Sequence, residues 1–262
     1  MTEVFEHNRR AWNRQSSDGE SRWCQPVDAA TIAAARKGDW TVILTPNLPA
    51  PRAWFGGLLG RDLLCLASGG GQQAPLLAAA GARVTSFDAS EAQLAKDAEV
   101  AGREALALRT LHGDMADLSS FEDESFDLIF HPVSNVYVRD VRPVWRECHR
   151  VLRPGGRLLA GFMNPAFFLF DHQELEAGGP LQVRYALPYS DLHSLPPERL
   201  ERQLREGVAL EFSHSLDHQI GGQLESGFTI GGFYEDRWDE HATPLNRYMP
   251  TYIATLAIRA PR

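Results

Sequence analysis

Along the chain, apolar residues recur with two periods, and each period predicts its own kind of element. Val4, Phe5, Asn8, Ala11 and Trp12 fall on one face at helical spacing, so an amphipathic helix is expected at the start. A second helix, DAATIAAARK, opens at a cap in Asp28 and stops at Gly38. A proline-punctuated loop follows, from Thr45 through Pro46, Pro49 and Pro51 to Trp54. Beyond it, the short apolar runs DLLCLA, ARVTSFD, LALRTLHGDM and FDLIFH alternate with the helical stretches QQAPLLAAA and SEAQLAKDAEVAG. Such alternation predicts right-handed βαβ units and a mostly parallel sheet covered on both faces. A further helix, VRPVWRECHRVL, is expected to end at a firm turn, Arg153-Pro154-Gly155-Gly156, before the strand RLLAGFM. Residues 164–213 lose the rhythm and read as an insertion. A helix around LDHQIGGQLES and two strands, FTIGGFYEDRW and PTYIATLAIRA, then close the chain as an antiparallel pair.

Composition narrows this picture without adding chemistry. A length of 262 residues with ordinary apolar and charged content suits one α/β domain and excludes disorder, collagen and coiled coil. Set against 34 acidic residues, 26 basic ones leave a formal charge of −8, which repels phosphate backbones and anionic lipid, so neither nucleic acid nor membrane is an expected partner. Cys24, Cys65 and Cys148 show no paired spacing, and no apolar run approaches the roughly eighteen residues that span a bilayer. A cytoplasmic protein is expected, with its oligomeric state left open.

The sharpest feature is LLCLASGGGQQAP, where an apolar strand runs into Ser68-Gly69-Gly70-Gly71 and then a helix. Three glycines remove every Cβ from the turn where backbone comes closest to a ligand, although a tight helix-on-strand turn is the plainer alternative. Asp88 ends the next strand, where a carboxylate can accept from both hydroxyls of a ribose, or cap the helix that starts near Ser90. Gly69-x-Gly71-x-x-Ala74 also fits the dinucleotide fingerprint, so a nicotinamide-dependent oxidoreductase stays open at this point.

Taken together, the glycine turn, Asp88, the Gly113-Asp114-Met115 turn, FDLIF and LRPGGRL resemble the class I S-adenosylmethionine-dependent methyltransferases, most closely the type 11 group, over residues 55–165 and the terminal strands. The resemblance implies a doubly wound, mostly parallel seven-stranded sheet with an antiparallel last strand, the Rossmann-like methyltransferase fold with an inserted lid. It implies one domain over residues 1–262, divided into amino-terminal helices and lid (1–55), cofactor-binding core (56–163), substrate-side insertion (164–213) and terminal helix and strands (214–262). It further implies that Ala67, Ser68, Gly69, Gly70 and Gly71 wrap the methionine end of S-adenosylmethionine while Asp88 holds the ribose and Ala89 lies beside the adenine. Gly113, Asp114 and Met115 would meet the adenine, and His131, Pro132 and Val133 would line the cleft. Two positions depart from the family pattern: Cys65 stands where an acidic residue is usual and Ala67 where a glycine is. A cofactor-binding protein without transfer chemistry is therefore a third reading.

Methyl transfer from a sulfonium is an in-line displacement, so the protein must align an acceptor, exclude water and, for a hydroxyl acceptor, supply a base. His131, directly after FDLIF, is the candidate base, with a backbone-binding role as the plainer alternative. Asn135, Tyr137 and Phe168 are the candidate acceptor contacts. No metal is expected, because His214 and His218 have the spacing of a helical zinc pair but no third ligand. The aromatic content of the insertion points to a small-molecule acceptor that is largely apolar or aromatic, with a small satellite core under the insertion as the equally plain alternative.

Overall fold

The apolar run at residues 63–66 is unbroken because its strand is buried on both faces. Leu63 and Cys65 turn to one side, where Phe130, Leu159 and Ala254 of neighbouring strands meet Ile32, Leu44, Phe55 and Leu77. Leu64 and Leu66 turn to the other, packing with Ile129 and Leu158 against Trp145 and Cys148. The period of two along a strand thus serves two cores at once.

The computed structural model describes residues 3–19 and 21–261; residues 1, 2, 20 and 262 of the expected domain lie outside the described residues. The strands are β1 (Asp62–Leu66), β2 (Arg83–Asp88), β3 (Leu108–His112), β4 (Phe126–His131), β5 (Leu152–Met163), β6 (Phe228–Asp236) and β7 (Tyr252–Arg259). They form one seven-stranded sheet in the order β3-β2-β1-β4-β5-β7-β6. Strands β1 to β5 pair in parallel, and β7 enters between β5 and β6 antiparallel to both. The chain winds outward from β1 to β3 and then returns to place β4 beside β1, so the carboxyl ends of β1 and β4 bound a topological switch point.

Three local expectations change. Helix Arg142–Val151 passes straight into β5, and Arg153-Pro154-Gly155-Gly156 is a bulge inside that strand, with Phe126 facing Leu152 and Leu128 facing Arg157. Pairing on either side outweighs the turn signal, and Gly155 absorbs the bulge at φ +76°. The stretch LDHQIGGQLES is a π-helical turn, Asp217–Gly221, followed by one α-turn, Gly222–Glu225. Here Gly222 packs on the indole of Trp145, where a Cβ would come within 2.8 Å of the ring. Residues 164–213 contain four short helices, Pro165–Leu169, His172–Glu176, Asp191–Ser194 and Pro197–Glu206. No helix among the described residues is long and apolar enough to cross a membrane.

Candidate active site

A single cavity of about 580 Å³ opens at the carboxyl ends of β1 to β5 and extends beneath residues 164–213. Its sheet-side wall is built from strand ends: Ala67, Ser68 and Gly69 after β1, Asp88 and Ala89 at the end of β2, Gly113, Asp114 and Met115 after β3, and Pro132 and Val133 after β4. Ten of the candidate cofactor contacts therefore converge on one space. The amino-terminal helix Glu3–Asp18 closes it from above with Phe5, Asn8, Arg9 and Trp12.

Asp88 sits at the centre of the sheet-side wall. Its Oδ2 accepts from the Gly69 amide at 3.0 Å and its Oδ1 from the Ser90 amide at 2.8 Å, so the carboxylate ties the glycine turn to the next helix. Burial pushes its pKa up and the two amides pull it down. The capping alternative belongs to Ser90, whose side chain accepts from Gln93 N as N-cap of helix Glu91–Glu104. The Asp88 oxygens retain lone pairs on the cavity side.

The three glycines divide their labour. Gly69 faces the cavity, and a Cβ there would meet Gln93 at 2.9 Å. Gly70 and Gly71, expected around the cofactor, lie outside the lining and receive the segment at residues 23–26 instead. A Cβ on Gly70 would strike the Trp23 carbonyl oxygen at 2.5 Å, and one on Gly71 would meet Pro26 at 2.9 Å. The turn is thus clamped from outside by a segment that strand and helix periodicity say nothing about.

Both departures from the family pattern have local consequences. Ala67 takes φ +49°, a left-handed conformation that costs an L-residue about 1 to 2 kcal/mol. Ala67→Gly is expected to raise stability by about 0.5 to 1 kcal/mol once the chain entropy of glycine is deducted, read as a shift in the urea midpoint. Cys65 is fully buried, and the carboxylate near it belongs to Asp97, which accepts from the Gly71 amide at 2.7 Å and from Ser86 Oγ at 2.6 Å. Burial lifts the Asp97 carboxyl to about 7. In the sequence Asp97 was one polar position of an amphipathic helix, with nothing to mark it.

His131, the candidate base and cleft residue, is placed elsewhere. It is 0% exposed and lies outside the cavity lining, edge-on to Trp145. Both ring nitrogens are occupied: Nδ1 is 2.9 Å from the Leu66 carbonyl oxygen and Nε2 is 2.6 Å from the Asn135 side chain. Burial favours the neutral ring. Asn135, the candidate acceptor contact, is drawn into the same buried network, reaching Gln219 and accepting from His214 at its own carbonyl. The alternation of β4 puts residue 131 on the Trp145 face, so neither side chain turns toward the cavity. His131→Ala is therefore expected to lower stability by about 2 to 4 kcal/mol while the folded fraction keeps its turnover, checked by denaturation and by activity normalised to folded protein.

Tyr137 and Phe168 do line the cavity, joined by Met163, Tyr185, Tyr189 and Tyr252. Trp12 packs edge-on to Tyr137 at 5.2 Å, and Phe168 stacks on Tyr189 at 5.4 Å. Around them Asp171 binds Tyr185 and Arg199, which holds its carboxyl near 2. No group of three His, Cys, Asp or Glu residues among the described residues is placed to hold a metal ion.

A seven-stranded sheet of this order, with a cavity at the switch point and an acidic residue ending β2, defines a class I methyltransferase fold. Residues 64–160 match the family described as the methyltransferase domain. The chain is 46% identical to the uncharacterized methyltransferase YbaJ of Bacillus subtilis (strain 168), over 99% of this chain and 100% of that protein. Among solved structures it is similar to an S-adenosylmethionine-dependent methyltransferase from Mesorhizobium loti (TM-score 0.60, 22% identity, 79% of this chain and 95% of the other). It is also similar to geranyl diphosphate C-methyltransferase from Streptomyces coelicolor A3(2) (TM-score 0.62, 16% identity, 99% of each chain). The chain belongs to the methyltransferase family that includes YbaJ. The dinucleotide fingerprint is incidental: Gly71 and Ala74 are buried away from the cavity.

Proposed function

We propose that the chain transfers a methyl group from S-adenosylmethionine to a small-molecule acceptor in a reducing, cytoplasmic setting. The observation that carries this reading is the continuity of one cavity, from the strand-end wall around Asp88 into the aromatic compartment beneath residues 164–213. Two ligands that must react have adjoining places in it, and its volume falls in the range of small-molecule sites. Three buried free thiols suit a reducing compartment.

The sheet-side wall fits the cofactor. Asp88 would accept from the ribose hydroxyls, Asp114 would meet the adenine amino group, and Met115 would pack on the ring with Ala89 beside it. Ala67, Ser68 and Gly69 would take the methionine end, the missing Cβ of Gly69 letting the turn close against Gln93 and Asp88. Bound there, the cofactor supplies a methyl group already activated on a sulfonium. The work left to the protein is alignment and exclusion of water. Trp12 against Tyr137 and the Asn8 side chain, which donates to the Tyr137 and Leu210 carbonyls at 3.0 Å each, fix the roof for that purpose.

Calorimetric titration tests the reading. S-adenosylhomocysteine is expected to bind, and NAD to give no heat. The reverse result removes the cofactor assignment, and a screen of small molecules with labelled methyl donor that yields no labelled product removes the transfer.

A further inference from the structure

The aromatic compartment holds one half-buried carboxylate whose charge has no partner among the described residues. Phe212 pairs with Ser190 in an isolated β-bridge, and Leu210 and Phe212 turn outward to a small core with Val4. Alternation along this extended stretch sends Glu211 the other way, into the cavity. Asn8 locks the segment, accepting from the Leu210 amide at 2.7 Å while donating to the Tyr137 carbonyl at 3.0 Å.

The neighbouring buried acids are already engaged. Asp171 is bound by Tyr185 and Arg199, and Asp191 by Tyr189, Gln203 and the Glu211 amide. The carboxylate of Glu211 has neither hydrogen bond nor ion pair among the described residues. Two phenols flank it, Tyr137 and Tyr252, near enough that its charge makes both harder to ionise. Neither hydroxyl has a hydrogen-bond partner among the described residues, although Tyr252 is only 8% exposed. On the cationic side, Arg199 and Arg9 are each paired with carboxylates, Arg199 with Asp171 and Arg9 with Glu6 and Glu91, although the Arg199 Nε keeps one buried N–H without a partner, and His172 is kept uncharged by burial. An acidic group and two open hydroxyls thus face a space walled by aromatic rings.

Ligand chemistry follows from that balance. An anionic acceptor would meet the Glu211 and Asp191 carboxylates, while the guanidinium charges in the lining are already paired to other carboxylates. A neutral one would leave the Glu211 charge desolvated and unpaired. A protonated amine satisfies the carboxylate, donates to the phenol oxygens and sets its charge against ring faces.

We propose that the acceptor is a primary or secondary amine, protonated when it binds and carried on an apolar or aromatic body, with Glu211 as its anchor and general base. This rests on the methyl-transfer reading above. The ammonium gives one N–H proton to the Glu211 carboxylate. The freed nitrogen lone pair forms the N–C bond as the C–S bond breaks, and that electron pair stays on sulfur as a thioether. The product is a methylated ammonium, and the Glu211 proton passes to solvent on release. Burial and Asp191 lift the Glu211 carboxyl to about 7, which suits it to accept a proton near neutral pH.

The test is calorimetry on the S-adenosylhomocysteine-loaded protein with phenethylamine, tyramine and tryptamine, each beside its matching alcohol and carboxylate. At least one amine is expected to bind tenfold or more tightly than its alcohol, and the carboxylates not at all. Glu211→Gln should cut that amine affinity at least tenfold while leaving affinity for the alcohol and for S-adenosylhomocysteine within twofold. Tyr252→Phe, which keeps the ring and removes one acceptor oxygen, should weaken the amine several-fold and serves if the glutamine variant does not fold. Binding of no amine, no preference over alcohol or carboxylate, or full amine affinity in the variants overturns the proposal. Failure of S-adenosylhomocysteine to bind the wild-type protein overturns the parent reading as well, so the two failures are distinguishable.

Discussion

Asp88→Ala is expected to weaken S-adenosylhomocysteine binding by about 10- to 150-fold, the equivalent of about 1.5 to 3 kcal/mol for a charged acceptor removed from a pair of ribose hydroxyls. The same change is expected to lower the stability of the unliganded protein, because the amides of Gly69 and Ser90 lose their acceptor together. The two effects separate in Asp88→Asn. Its amide oxygen can still accept from one backbone amide, so the fold recovers in part, while the loss of negative charge keeps affinity low. Titration calorimetry and urea denaturation of both variants check this. Affinity that returns to the wild-type value once the folded fraction is accounted for would confine Asp88 to fastening the glycine turn.

Asp97 sets the second expectation, a stability that depends on pH through its burial. Its carboxyl is lifted from the ordinary 3.8 to about 7 in the folded protein, with desolvation as the main cause. A raised acid favours folding while it is protonated, so its contribution is complete below about pH 4 and is lost as pH climbs through 7. About three pK units correspond to roughly 4 kcal/mol lost across that window. Glu211, also lifted to about 7, adds a slope of the same sign. Asp97→Asn keeps an acceptor for Gly71 N and, with its amide donating, reverses the bond to Ser86 Oγ, yet cannot ionise. It should therefore match the wild type near pH 4 and exceed it by a few kcal/mol at pH 8. Urea unfolding of both proteins at intervals between these limits gives the answer, and parallel stability curves would show that Asp97 does not titrate in this range.

The two carboxylates explain how the glycine turn works without the usual acidic residue in β1. Asp88 grips Gly69 from the end of β2, and Asp97 grips Gly71 from the helix that follows, across the space beside Cys65. The segment at residues 23–26 then seals the turn over Gly70 and Gly71. A departure that looks like a loss in the strand is thus accompanied by support from a different element.

Local signals determined much of this protein before any tertiary contact was known. Short, nearly unbroken apolar runs bounded by turns specified the parallel strands, because a strand buried on both faces must be apolar throughout. The glycine turn, Asp88 and Gly113-Asp114-Met115 were legible as strand-end positions, since ligands of such sheets bind at carboxyl ends. The direction of His131 and Asn135 was not legible, because whether a residue just past a strand end turns to the cavity or to the core depends on the last pleat of β4 and on Trp145 packed against it. Asp97 and Glu211 were invisible for a different reason. Each is a lone polar residue in a helix or loop, and only the folded chain sets one against Gly71 and the other between Tyr137 and Tyr252. Burial and charge balance at such points are sums over elements distant in sequence, so periodicity assigns the wall of the cavity while tertiary structure alone decides which groups inside it remain uncompensated.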